Sequence, residues 1–254
     1  MSNPLISEKA LTTNPEARRL HETGLKAELT GDYNEAHESF EAAQQIIAGL
    51  PQTIDTAVQS ARIGRDAGFT YVRAAIANND SSILELAQGA IKTSLEATAP
   101  LASGAALIGN AQPEANSRIF HREFLAEHGA TVSLLGRIAT VREVMLGVDT
   151  RGNSEAAREA RNGEQQPYSL AHDLLVMGNN GYYRVSNAMV AARQERINGR
   201  LPQVARWLGR AASGLAWTAL RDPSNLKSAV RTSGNRARHL RSYRAAVNSV
   251  TTYP

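Results

Sequence analysis

Cysteine is absent from the chain, and aromatic residues make up only 5% of it, with four Phe and two Trp. The first absence excludes disulfides, thiol nucleophiles, iron–sulfur clusters and cysteine zinc sites, and it agrees with a reducing compartment. The second disfavours an aromatic-rich β core. Long apolar runs are missing as well. The mildest stretch, Ala97 to Ala111, is fifteen residues of mostly Ala, Gly and Ser interrupted by Pro100. A membrane span needs roughly 20 strongly apolar residues, so no transmembrane segment is expected. Met1 to Lys9 has neither the positive segment nor the apolar segment of a secretory leader. The expectation is an intracellular, cytoplasmic protein.

What is present is alanine. The chain of 254 residues is 42% hydrophobic, and its 41 Ala stand against nine Pro. That length would bury roughly 75% of the unfolded surface, and that composition favours close-packed helices. The net charge of +4 conceals an asymmetry. Residues 1–127 carry 10 basic and 16 acidic groups, whereas 128–254 carry 18 basic and 8 acidic groups. From Arg184 onward, 13 Lys or Arg are opposed by Glu195 and Asp222 alone. Two readings of this asymmetry are open: the acidic half neutralises the basic half within the molecule, or the basic end meets an anionic partner.

Asn14-Pro15-Glu16 reads as an N-cap, a proline at the first helical position and an acid in the first turn. A helix is predicted from Pro15 to about Thr30, ending at Gly31, with a restart at Asp32, where Asp32 and Glu35 have capping-box spacing. So short a turn makes the two helices antiparallel. Leu20, Gly24, Ala27, Gly31-Asp32-Tyr33, Ala36, Phe40 and Ala43 fall at the spacings of a tetratricopeptide (TPR) motif, which the segment Ala17 to Leu50 resembles. Small residues would set the helix spacing, and Phe40 would fill the space between. Leu20 stands where the family often has Trp, Thr23 stands where Leu is usual, and Pro51 falls a few residues late.

A second helical pair is predicted from Thr53 to Thr98, turning at Asn78-Asn79-Asp80. Pro100 to Ser117 reads as a connector or a weak helix with breaks. A long helix from Asn116 to Leu146 carries the stripe Leu134, Ile138, Val141, Met145 and Val148. Asp149 to Pro167 reads as a loop with a short helix at 154–161, and helices follow at 168–177, 182–197, 202–220, 223–231 and 235–250. The expected organisation is a flexible N-terminus over 1–13, TPR-like hairpins over 14–98, a connector over 99–117, and a helical region with basic C-terminal helices over 118–254. The expected class is all-α, with antiparallel hairpins stacked as a TPR-like solenoid or right-handed helical array.

The resemblance implies a non-enzymatic adaptor or scaffold that receives a protein or peptide in a groove. Its groove-facing positions are Arg18, His21, Leu25 and Glu28, which share one helix face. They lack the Lys and Asn pair of family members that clamp a terminal carboxylate. A second candidate surface is basic. In the helix from Pro202, the side chains of Arg206, Arg210, Trp217 and Arg221 fall on one side, away from an apolar side of Val204, Leu208, Ala211 and Leu215. In the last helix Arg238, Arg241 and Arg244 flank the stripe Leu240, Tyr243, Val247 and Val250. These arginines suit a phosphate-bearing or other anionic partner, and a nucleic-acid-associated or regulatory protein is the alternative reading. A second copy of the chain is a further candidate partner. His121 and His128, seven apart, make a weak metal pair, and Gly178-Asn179-Asn180-Gly181 lacks the lysine and the strand of a phosphate loop. No catalytic set, metal or cofactor is indicated.

Overall fold

The computed structural model describes residues 14–51, 53–110, 115–151 and 154–252, and among these only helices and their connecting turns occur. The first two helices are α1 (Pro15–Thr30), with the ends the sequence indicates, and α2 (Tyr33–Ala48), which starts just after Asp32 as expected. The Asn14 side chain accepts the N–H groups of Glu16 and Ala17, and Pro15 lacks the N–H that would otherwise be unpaired. Gly31, at φ 82°, takes the left-handed conformation that ends α1, and Asp32 accepts the Glu35 N–H to start α2. Between the helices Phe40 is fully buried with Ala17, Ala27, Ala36 and Ala43. A Cβ on Gly24 would stand 2.6 Å from the Phe40 ring, so the ring occupies the space that the glycine leaves.

Next come α3 (Ile54–Asn78) and α4 (Ile83–Asn110). Thr53 and Thr56 cap the start of α3 reciprocally, and Asn79, at φ 51°, ends it. The segment expected as a connector or a weak helix, 99–117, is helical up to Asn110 and again from Ala115, where α5 (Ala115–Met145) begins. Alanine's helix propensity prevails there over the scattered Gly and Pro. Residues 111–114 lie outside those described, as do 1–13. Leu134, Ile138 and Val141 are buried as predicted, while Val148 lies beyond the helix end and is exposed.

The loop expected at 149–167 is corrected by α6 (Glu155–Met177), which is capped by Ser154 and runs through Pro167. A proline inside a helix costs about 3 kcal/mol. Here Tyr168, the next residue, is wholly buried against Gly136, where an added Cβ would meet its ring at 2.8 Å. Packing of that ring outweighs the local cost.

The chain continues as α7 (Gly181–Ile197), α8 (Leu201–Arg221) and α9 (Pro223–Ala237), then a 3-10 turn (Arg238–Leu240) and α10 (Tyr243–Thr252). The single last helix expected from Asn235 is thus split, with the Ser242 hydroxyl accepting the Ala245 N–H to start α10. On α8 the buried face is Val204, Trp207, Ala211, Gly214 and Thr218. Leu208, expected inside, is exposed, because the larger Trp207 takes the core position while Gly214 lets α7 approach at Val185.

From α1 to α8 each helix packs chiefly on its neighbours in sequence, with additional contacts of α3 with α5, while α9 packs more on α7 than on α8. Helix α10 returns to lie on α5 and α7. Its Ala246 and Val250 join Val72 of α3, Leu84 and Ile91 of α4, Ile138 of α5 and Ile197 of α7 in the central core. Among the described residues no helix is long and apolar enough to cross a membrane.

Candidate functional site

A cavity of about 250 Å³ is lined by side chains of α1, α3, α5 and α7, with α6 and α9 closing it. On the α1 side stand Leu25 and Glu28. Glu28 is buried and pairs with the Arg73 Nε of α3 at 3.2 Å. Burial pushes its carboxyl up to about 7; Arg73 opposes the rise and Asp66 adds to it.

One turn deeper, an ion-pair web ties α1, α3, α5 and α7 together. His21 of α1 meets Asp66 of α3 at 2.8 Å. Arg62 and Arg65 of α3 both bond the buried Glu127 of α5, Arg62 through Nη2 at 2.7 Å. The Tyr183 hydroxyl of α7 accepts from Arg65 and donates to Glu127, each at 3.2 Å. Burial alone would raise the carboxyls of Glu127 and Asp66, but the guanidinium beside each holds it below the ordinary range. Burial pushes the Tyr183 phenol well up, so it remains a donor. Each of these arginines has a carboxylate beside it, and the web braces the cavity wall.

The opposite wall is different. Arg137 of α5 is 8% exposed and stacks on the Phe69 ring at 4.7 Å, with no hydrogen bond or ion pair among the described residues. Arg137 and Arg236 also line an adjoining cavity of about 440 Å³, together with Arg193, Thr232, Asn235, Arg238 and His239. No carboxylate lines that second cavity. Burial, then Arg193 and Arg236, lowers Arg137 well below the ordinary arginine range, and burial and Arg193 push Arg236 down to about 10. An arginine stays charged at neutral pH, so these directions mark cations held without counter-charge.

Of the residues singled out from the sequence, Leu25 and Glu28 line the first cavity, His21 is buried against Asp66, and Arg18 is half-exposed and pairs with Glu22. Arg206 and Arg221 are exposed on α8, and Arg238, Arg241 and Arg244 are exposed near the C-terminus. Arg210 lies over the ring of Trp207 at 4.3 Å, while Trp217 is half-buried under Arg184. Tyr243 is exposed and carries Arg151 over its ring. His128 is buried, and burial pushes its imidazole down to about 4; the His121 side chain lies outside those described. Among the described residues no group of His, Asp and Glu could hold a metal.

The sequence reading passed over Arg137, Arg193 and Arg236. A signal for two of them is there. Arg137 sits three and four residues from Leu134 and Val141, and Arg193 has the same spacing from Val190 and Ile197, so each charge falls inside an apolar stripe. Compared with protein-family models, curated proteins and solved structures, the chain matches none.

Proposed function

We propose that the chain is a non-enzymatic adaptor or scaffold of TPR-like architecture, its antiparallel hairpins stacked as a right-handed array, which receives a protein or peptide partner on the face shared by α1, α3, α5 and α7. The observation that carries this reading is the first cavity, where four helices alternating along the chain direct side chains into one polar recess. A helical array works by such a face, because the intervening helices are spent on packing. Leu25 and Glu28, at positions that resemble groove-facing ones, line it. Selection of displayed random twelve-residue peptides on the full chain tests the proposal. Enrichment that Leu25→Trp abolishes supports it; no enrichment, or equal enrichment on both proteins, overturns it.

The nucleic-acid reading is favoured by a separate observation. Arg206, Arg221, Arg241 and Arg244 are exposed and form no ion pair among the described residues. Mixed DNA and RNA binding that falls steeply with salt and is lost on changing Arg206, Arg210 and Arg221 to Ala would establish it. Absent or salt-independent binding removes it.

A further inference from the structure

We infer that Arg137, Arg193 and Arg236 form a binding site for a phosphate group, seated where the two cavities adjoin; the site deepens the adaptor reading by naming the chemistry of the ligand's anchor. Arg137 and Arg193 are 8% and 6% exposed, so both are largely withdrawn from bulk water. Arg137 makes no hydrogen bond among the described residues. Arg193 spends Nη1 on the Ser249 carbonyl and leaves a buried Nε without an acceptor. Arg236 spends Nη1 on the Ser186 carbonyl and hydroxyl, at 2.7 and 2.6 Å. The rest of these guanidiniums remain available for a ligand.

Burying a charge without a partner costs several kcal/mol, and such charges are normally paired. Arg62 and Arg65, buried in the ion-pair web, each have a carboxylate. At the second cavity three arginines without a carboxylate among the described residues come together, and Thr232, Asn235 and His239 add neutral hydrogen-bonding groups to its wall. Three cations call for more than the single charge of a carboxylate. A phosphate monoester brings −1.5 to −2 at neutral pH and three acceptor oxygens in a compact volume, and the guanidinium fork matches it. Arg238, exposed at the rim, gives the anion its approach.

Calorimetric titration of the full chain with inorganic phosphate, and separately with a phosphoserine peptide and its unphosphorylated counterpart, tests the site. Phosphate should bind, and Arg137→Met, which removes a buried charge without emptying its volume, should weaken it about tenfold or more. Arg236→Gln gives a second reading on a side chain that keeps a donor for Ser186. Tighter binding of the phosphopeptide than of phosphate assigns the group to a peptide, whereas equal or weaker binding assigns it to a free phosphate. The proposal is overturned if neither probe binds, or if both variants bind phosphate as the unaltered chain does. Peptide selection that fails while phosphate still binds would sink the adaptor reading and leave this site standing.

Discussion

Gly24 decides how closely the first two helices approach, because any Cβ there enters the Phe40 ring. Gly24→Ala should therefore cost about 1–3 kcal/mol in urea unfolding, and adding Phe40→Leu should recover part of the loss by vacating the contested volume. Phe40→Ala alone should cost about 3–5 kcal/mol, since the ring is fully buried. Glu28 gives a prediction in pH. Its folded carboxyl titrates at about 7, above the 4.5 of a free side chain, so the folded state binds the proton more tightly. The stability this confers is complete below about pH 4.5 and is lost as pH rises through 7, by up to about 3 kcal/mol. Glu28→Gln resembles the protonated form at every pH. Its advantage over the unaltered protein should widen between pH 5 and pH 8, and an advantage that stays flat would show that Glu28 is charged throughout.

At the scale of elements, Glu127 is the joint between α3, α5 and α7. Glu127→Gln removes the carboxylate that Arg62 and Arg65 share and leaves them only the longer carboxylate contacts with Glu123 and Asp66, so it should cost about 3 kcal/mol in chemical unfolding. Pro167 works the other way. Pro167→Ala restores a backbone donor inside α6, so the urea midpoint should rise, by an amount equivalent to about 1–3 kcal/mol. Elements with explicit ends were legible in the sequence. Asn14, Gly31, Asp32 and Asn79 hold local chemistry that needs no tertiary partner, and the boundaries of α1, α2 and α3 follow from it. Where a local breaker met tertiary packing, the breaker misled. Ala157, Arg161, Tyr168, Ala171 and Leu175 keep helical spacing straight across Pro167, and that longer periodicity was the better guide. The Leu208 assignment fell short for a related reason, since helical spacing gives a face but not the rotation that seats Trp207 inward. Of the cavity, Leu25 and Glu28 were legible from one hairpin, whereas Arg137, Arg193 and Arg236 sit on three different helices and meet only once the chain is folded.

For the whole molecule, the two halves of the chain differ in charge, the first acidic and the second basic. The ion pairs seen among the described residues each join partners from the same half of the chain. Without a ligand, Arg193 and Arg236 repel Arg137 across the cavity they line. Arg137→Met should accordingly raise the melting temperature of the free protein, while phosphate should raise that of the unaltered protein more than that of the variant. Helix α10 adds a mechanical consequence. In an open row of hairpins each unit touches only its neighbours, and a load on the end peels units away in order. Here the last helix is anchored in the middle, on α5 and α7. A pull on the C-terminus in an optical trap acts first on the contacts of Ala246 and Val250 with the central core. Rupture should start at the centre and run outward, releasing several helices in one step.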